Sequence, residues 1–206
     1  MQALKYLLRY LKGTQTLGIT YYGRNDPYWQ QIKHLQPNGV HGFYDANWGE
    51  DKYDAKSRCG YVFKLAGGPI SWWSGRQPVI ATSTTHAEFI AQDFAGREVA
   101  WMTKFFTDLG LAPNGAINVF GAVDRTPQLF GDNQGALALA QNPGGMHKGT
   151  KHIAVKYFYI RELLKDKVMD LKFCPTKHNT ADIMTKPLAR SLFEQHREAM
   201  GMSFVR

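Results

Sequence analysis

The sequence predicts an α/β fold, in which a mixed five-stranded sheet is flanked by helices. From residue 40 onward, three short apolar segments are followed by a long helical pattern, and strand and helix patterns then alternate. Gly67-Gly68 separates the second and third segments, which is typical of an antiparallel hairpin. A sheet that begins with a hairpin and continues with βα units has antiparallel strands first and parallel strands later.

The N-terminal part is predicted to hold one helix and one short strand. Four leucines at helical spacing indicate an amphipathic helix over residues 2–12, which ends at Gly13. Residues 17–22 are predicted to form a short strand. Residues 23–39 are polar and contain two prolines, so they are predicted to be a loop or linker.

The same patterns predict the elements of the main body. The predicted strands span residues 40–46, 60–65, 69–74, 128–131 and 168–174. The predicted helices span residues 85–109, 133–141 and 152–167, and a last helix holds Asp182 near its start. Residues 112–127 are predicted to be irregular. Pro187 breaks the last helix before a helical C-terminal tail.

Composition limits the class of protein. The 206 residues suffice for one sizeable core, and no apolar run approaches the roughly 20 residues that span a bilayer, so we expect no membrane contact. Cys59 and Cys174 match no zinc or redox spacing, which is typical of two buried reduced thiols in an intracellular protein. The net charge of +8 favours an acidic partner such as nucleic acid.

The positive charge is concentrated late in the chain. Between His147 and His178 there are eight Lys and Arg against three acids, with Tyr157, Phe158 and Tyr159 among them. Basic residues interleaved with aromatic ones fit a nucleic-acid surface. An ordinary solvated helix face with aromatic core residues fits the same pattern.

Four acids stand at the ends of predicted elements. Asp45 ends the first strand of the body, Glu88 lies in the first turn of the long helix, Asp132 follows a strand, and Asp182 opens the last helix. Because strand C-termini and the following helix N-termini line one crevice in an open α/β sheet, we expect these carboxylates to converge. Carboxylates crowded in this way repel one another unless metal ions neutralise them.

Each acid also has a purely structural explanation. Glu88 completes a capping box with Thr85, and Asp132 is a candidate N-cap of the next helix. Asp182 is favoured by the helix dipole, and Asp45 is a candidate turn residue before Asn47. Taken singly, each acid is better explained by structure, but the four together favour a metal site.

The motifs that contain these acids resemble a known family. The matching segments are GFYDANW, SRCGYVFKLAGGPISWWSGRQ, ATSTTHAEFIA, DNQGALALAQNP, KHIAVKYFYIRE and ADIMTKPL. They resemble the ribonuclease H domain of copia-type retrotransposon Pol polyproteins over residues 39–188. Residues 3–14 resemble the end of the reverse transcriptase region of the same family. We therefore predict the end of the reverse transcriptase or connection region with a linker at 1–38, a ribonuclease H-like domain at 39–188 and a C-terminal helical tail at 189–206.

The resemblance implies a ribonuclease H-like fold and hydrolysis of the RNA strand of RNA–DNA hybrids with two Mg2+ ions, which Mn2+ can replace. It implies that Asp45 bridges both ions, that Glu88 and Asp132 complete one site, and that Asp182 completes the other. His178, four residues before Asp182, is a candidate proton shuttle, with a plain surface histidine as the alternative.

The resemblance also implies a surface that grips nucleic acid through phosphates and 2′-hydroxyls. The candidate contacts are Trp73, Arg76, Gln77, Asn133, Gln134, Lys148, Lys151, His152, Lys156, Arg161 and Lys186. Trp72 and Trp73 point to opposite faces of a strand, so we expect one of them in the core. The implied partners are an RNA–DNA hybrid and an upstream reverse transcriptase domain. The implied location is a cytoplasmic virus-like particle, with the nucleus as a further site.

Some positions depart from the family pattern. His86 stands where Glu is common, and Gly149, Ala154 and Phe158 replace the usual Arg, Asp and His. An additional glycine stands at Gly144-Gly145, and residues 112–127 are longer than usual. These changes keep open a second function, a nucleic-acid-binding remnant without activity. A strand transferase of the integrase type shares the fold, but it requires a late Glu, whereas here the last acid is Asp182.

Overall fold

The structure is a computed structural model that describes residues 2–23, 25–32, 39–51, 53–111, 126–142 and 151–204, without the side chains of residue 29 and residues 151–155. It contains seven strands within these ranges. They are β1 (Leu17–Ile19), β2 (His41–Asn47), β3 (Arg58–Leu65), β4 (Gly68–Arg76), β5 (Gln128–Gly131), β6 (Asp170–Phe173) and β7 (Met202–Phe204).

Five of these strands form one mixed sheet in the order β4-β3-β2-β5-β6. β2 pairs antiparallel with β3, and β3 with β4, whereas β2 pairs parallel with β5, and β5 with β6. The predicted sheet is therefore confirmed, with antiparallel strands first and parallel strands after them. This order and these directions are those of the ribonuclease H-like fold.

The described residues also form seven α-helices. They are α1 (Gln2–Gly13), α2 (Pro27–Ile32), α3 (Thr84–Asp108), α4 (Gln134–Gln141), α5 (Lys151–Lys165), α6 (Asp182–Thr185) and α7 (Arg190–Ala199). The short helix α2 corrects the prediction of a loop over 23–39, because Pro27 occupies the first helical position, where its fixed φ favours a helix. Within the described ranges, the helices are too short or too polar to cross a bilayer.

The turn between β3 and β4 lies one residue earlier than predicted. Ala66 and Gly67 have φ angles of 53° and 87°, and Leu65 pairs with Gly68. Two central residues with positive φ are the requirement of a type I′ turn, whose twist matches that of the flanking strands. The turn is therefore Ala66-Gly67 rather than Gly67-Gly68.

The core lies between the sheet and helices α3, α4 and α5. Its largest fully buried side chains include Tyr44, Phe63, Phe89 and Ile160. A Cβ added at Gly96 of α3 would lie 2.7 Å from Cδ1 of Ile160 on α5, so a small residue at 96 allows these helices to approach closely. Both cysteines are buried, as expected.

The N-terminal and C-terminal segments pair with each other. β1 runs antiparallel to β7, with Leu17 opposite Phe204. The amide of Thr20 donates to the carbonyl of Gly201 at 2.9 Å, and the amide of Tyr22 donates to the carbonyl of Ala66 at 2.9 Å. Both segments thus dock beside the β3–β4 turn. The C-terminal tail contains the predicted helix but also β7, which was not predicted. The predicted boundaries at residues 38 and 188 remain a prediction.

Candidate active site

Asp45 lies inside β2, two residues before the end of that strand, and its side chain is fully buried. The turn-former explanation for this residue is therefore wrong, because its backbone is paired with Gly60 of β3. The Asp45 carboxylate accepts a hydrogen bond from the hydroxyl of Thr185 and another, at 2.9 Å, from Nζ of Lys186. Asp45 is therefore held on the central strand of the sheet by two donors, Thr185 at the end of α6 and Lys186 directly after it.

Glu88 lies in the second turn of α3 rather than the first. Ser83 is the N-cap of this helix, and its hydroxyl accepts a hydrogen bond from the amide of His86 at 3.1 Å. The capping box predicted for Glu88 is therefore wrong. Oε1 of Glu88 instead accepts a hydrogen bond from the amide of Ala46 at 3.2 Å. Its other oxygen, Oε2, is buried and has no hydrogen-bond partner among the described residues.

Asp132 follows β5 directly, as predicted, but it does not cap α4. The N-cap is Asn133, whose Oδ1 accepts a hydrogen bond from the amide of Ala136 at 2.9 Å. The cap explanation for Asp132 is therefore wrong, and its carboxylate turns to the other acids. One carboxylate oxygen each of Asp45, Glu88 and Asp132 lies within 4.8 Å of the others.

Asp182 begins α6 and joins the cluster through a lysine. Its Oδ1 accepts a hydrogen bond from Nζ of Lys186 at 3.0 Å, and the same ammonium contacts Asp45. The carboxylates of Asp182 and Asp45 are both buried, whereas the Lys186 side chain is 30% exposed. The structure thus brings all four predicted acids together near the carboxyl-terminal ends of β2 and β5, with Lys186 between two of them.

The electrostatics of the cluster follow from burial and like charge. Burial, together with the charges of Asp45 and Asp132, raises the pKa of Glu88 well above its usual range. Burial and the charge of Asp45 raise the pKa of Asp182 to about 6, although Lys186 opposes the shift. Burial disfavours the Lys186 ammonium, but the carboxylates of Asp45 and Asp182 outweigh it and raise the lysine pKa. The site strongly favours added positive charge.

The donor set fits a hard divalent cation. Carboxylate oxygens are the ligands that Mg2+ and Mn2+ prefer. A buried carboxylate oxygen without a partner is costly, and Oε2 of Glu88 is such an atom beside two further carboxylates. Asp45, Glu88 and Asp132 are therefore a candidate metal site whose ligands suit the Mg2+ ions that the family resemblance implies.

Two candidate nucleic-acid contacts on or near β4 contact other residues of the protein itself. Trp73 stacks on Phe94 with ring centroids 4.9 Å apart, so Trp72, which is 56% exposed, is the surface member of the pair. Gln77 is buried and donates to the carbonyl of Ala87 at 2.8 Å. A buried amide offers no surface to a substrate, so Gln77 is unsuited to contact one, whereas Trp73 is only partly buried and stays a candidate contact.

Arg76 stays at the surface, but it forms ion pairs with Asp51 and Asp54. Lys156 on α5 similarly lies 3.5 Å from the buried carboxylate of Asp93 on α3. These two cations compensate acids of the same chain, which reduces the positive charge that they present to a phosphate.

The remaining candidates fall into two groups. The first group, Gln134 and Arg161, is placed by the structure. Gln134 is exposed. The guanidinium of Arg161 lies 4.3 Å from the ring centroid of Tyr157, and Arg161 lines a pocket together with Lys165 and Lys172. Lys148 lies outside the described residues, as do the departures at Gly144-Gly145 and Gly149. Lys151 and His152 begin α5, but their side chains are not among those described.

His178 ends a short 3-10 helix, Thr176–His178, that leads to Asp182, and its side chain is exposed. Sequence reasoning missed Thr185 and Asn179 and assigned Lys186 to the nucleic-acid surface. A signal for Lys186 was present, because a spacing of four residues from Asp182 puts both side chains on one face of a helix.

Two curated relatives are similar to the chain over nearly its whole length. The retrovirus-related Pol polyprotein from transposon TNT 1-94 of Nicotiana tabacum is 35% identical over 201 residues, which is 98% of this chain and 13% of that protein. The corresponding polyprotein from transposon RE1 of Arabidopsis thaliana is 33% identical over 205 residues, 100% of this chain and 12% of that protein. The chain therefore spans about an eighth of the length of these relatives.

No protein-family model matches the chain. Among solved structures, LC11-RNase H1 in complex with an RNA/DNA hybrid is 14% identical, with a TM-score of 0.49. The alignment covers 71% of this chain and 94% of that one. The fold assignment therefore depends on the sheet order and strand directions of this chain itself.

Proposed function

Because this chain belongs to the copia-type retrotransposon Pol polyproteins, we propose that it is a nuclease that hydrolyses the RNA strand of RNA–DNA hybrids with divalent metal ions. The observation that carries the proposal is the convergence of Asp45, Glu88 and Asp132 around a buried, unpartnered carboxylate oxygen. Acids from a strand, a helix and a strand end meet there, although nothing in local structure requires them to do so.

Asp45, Glu88 and Asp132 would hold one Mg2+ ion, and Asp45 with Asp182 would hold a second. When bound, such ions lower the pKa of a coordinated water and stabilise the charge that develops on the phosphate. The protein's own part is to fix the carboxylates. The amide of Ala46 orients Glu88, and the hydroxyl of Thr185 orients Asp45, so both carboxylates are aligned before substrate arrives.

His178 is the candidate group for proton transfer to the leaving 3′ oxygen, because it is exposed on the segment that leads to Asp182. The products would be a 5′-phosphate and a 3′-hydroxyl. The basic charge of the chain, including Arg161 on α5, would bind the phosphates of the hybrid. Contacts to 2′-hydroxyls would distinguish RNA from DNA.

The polyprotein relatives support two further proposals about context. The upstream reverse transcriptase domain would be the natural neighbour of this nuclease, since hybrids are the product of reverse transcription. Its location would then be the cytoplasmic particle in which reverse transcription takes place, with the nucleus as a further site.

The test is cleavage of an RNA–DNA hybrid with a labelled RNA strand, in Mg2+ and in chelator, by the wild type and by Asp45→Asn. We expect the wild type to cleave the RNA strand in Mg2+ but not in chelator. Cleavage by the variant should be at least 1,000-fold slower, which corresponds to a loss on the order of 4 kcal/mol of transition-state stabilisation. Asp108→Asn removes an exposed acid at the end of α3 and serves as the matched control, with unchanged cleavage.

The second candidate function is binding of the hybrid without cleavage. It is favoured by Phe158, a hydrophobic residue that is 58% exposed on α5 where the family resemblance implies a histidine. Binding without cleavage in both Mg2+ and Mn2+ would support this alternative and contradict the nuclease proposal.

A further inference from the structure

Lys186 contacts two of the four acids at once. Its Nζ lies 2.9 Å from Oδ1 of Asp45 and 3.0 Å from Oδ1 of Asp182. Both carboxylates are buried, so the ammonium is their nearest compensating charge among the described residues. A single positive group therefore lies between the acids from β2 and α6.

Local chain geometry puts the lysine there. Asp182 begins α6, and the amide of Lys186 donates to the carbonyl of Asp182 at 3.0 Å, which puts the two side chains one turn apart on the same face. Lys186 itself has an extended backbone, with φ −129° and ψ 143°. Pro187 enforces this conformation, because proline excludes the helical region for the residue before it.

We propose that Lys186 is a positioning residue that acts as a built-in counter-ion for Asp45 and Asp182 and competes with a divalent cation for the same oxygen atoms. The inference rests on the proposed function only in that a cation binds at these acids. Two positive groups that share two oxygen atoms at close range repel each other strongly. A divalent ion held by both carboxylates must therefore displace the ammonium.

The lysine has a route of withdrawal. Its side chain is 30% exposed and ends a flexible four-carbon stem, so the ammonium can move into water without a change in the backbone. In contrast, Glu88 accepts its hydrogen bond from the amide of Ala46, whereas the hydrogen bonds of the Lys186 ammonium go to Asp45 and Asp182. The two cation positions therefore differ in affinity, and the position between Asp45 and Asp182 is the weaker one.

The experiment is titration of the protein with Mn2+, without nucleic acid, by calorimetry and by electron paramagnetic resonance of free Mn2+. We compare the wild type with Lys186→Met, which removes the charge, and Lys186→Arg, which keeps it. Lys177→Met removes an exposed lysine of the neighbouring 3-10 helix and is the matched control. We expect the weaker site of Lys186→Met to bind Mn2+ about 10-fold more tightly, and the other two variants to resemble the wild type.

An unchanged affinity and stoichiometry in Lys186→Met would overturn the inference. Failure of every protein to bind Mn2+ would overturn it together with the metal site of the proposed function. Tighter binding in Lys186→Met by a protein that does not cleave hybrids would uphold the inference and leave the nuclease proposal rejected.

A second measurement covers the case in which Lys186→Met does not fold. The ammonium signals of the wild type are followed by nuclear magnetic resonance with 15N-labelled lysine, and Lys186 is identified by its absence from the Lys186→Arg spectrum. Saturating Mg2+ is expected to shift the Lys186 signal and leave that of Lys177 in place. A Lys186 signal that does not respond to saturating Mg2+ would overturn the inference.

Discussion

The side-chain amide of Asn179 donates a hydrogen bond of 3.0 Å to the main-chain carbonyl of Tyr44, the residue before Asp45. Its Oδ1 accepts a hydrogen bond from the amide of Ala181 at 3.2 Å, and the side chain is fully buried. One amide group therefore fixes the segment that carries Asp182 against the strand that carries Asp45.

Asn179→Ala is expected to lower the free energy of unfolding by about 1–3 kcal/mol, because it leaves buried polar groups without their partner. Chemical denaturation measures the loss. Asn142→Ala removes an exposed side chain and serves as the control, with a change within about 0.5 kcal/mol. Equal stability of the two variants would contradict the role assigned to Asn179.

Glu88→Gln is expected to separate metal binding from folding. Without divalent ions the variant should melt at a higher temperature than the wild type, because an amide avoids the cost of burying an ionisable carboxyl group beside Asp45 and Asp132. With Mn2+ at about 100 times its dissociation constant, the wild type should gain about 2.7 kcal/mol, and the variant should lose most of this gain. Thermal unfolding with and without Mn2+ measures both effects.

Glu162→Gln, an exposed acid on α5, is the control for this experiment, and we expect it to keep the gain in Mn2+. A Glu88→Gln protein that Mn2+ stabilises as much as the wild type would show that the ion binds elsewhere.

His41 is expected to make the fold sensitive to acid. It is buried opposite Lys64, and burial together with that charge lowers its pKa from 6.5 to about 4. Above pH 6.5 the ring is neutral in both states and does not affect stability. Between pH 6.5 and 4 the unfolded chain binds the proton first, so stability falls as pH falls, by about 3 kcal/mol in total.

Denaturation of the wild type and His41→Gln between pH 7 and 4 measures this contribution, since the variant lacks it and should show a shallower decline. His178→Gln, which removes an exposed histidine, should decline like the wild type. Parallel curves for wild type and His41→Gln would exclude His41 as the cause.

Gly201→Ala is expected to detach the C-terminal segment. Gly201 has a φ of 92°, and an added Cβ would lie 2.0 Å from the carbonyl oxygen of Gly67. Strain and overlap together should cost about 1–3 kcal/mol, and hydrogen exchange in β1 and β7 should accelerate. Gly13→Ala has no atom within 4 Å of the added methyl and is the control, with unchanged exchange.

The meeting of the acids could be predicted from the sequence because it follows from topology. Asp132 comes directly after a strand and Asp182 at the start of a helix, and such ends share one edge of an α/β sheet. The N-cap of α3 could not be predicted, since Thr82, Ser83, Thr84 and Thr85 are all residues that cap helices. Only the packed position of α3 selects Ser83.

Other features depend on partners that are distant in the chain. β7 has three residues, too few for a visible alternation, and it exists because β1 pairs with it. The charge of Lys156 was visible, but its pairing with Asp93 on another helix was not. The spacing of Lys186 from Asp182 was visible as well, but its contact with Asp45 on β2 was not.

The pairing of β1 with β7 has a mechanical consequence. Leu17 faces Phe204, so the first residue of β1 and the last residue of β7 lie at the same end of the pair. Tension applied at these two residues would therefore peel the strands apart one hydrogen bond after another instead of shearing all of them together. The small sheet would give way at low force and extend, while the five-stranded sheet that carries Asp45 stayed unloaded.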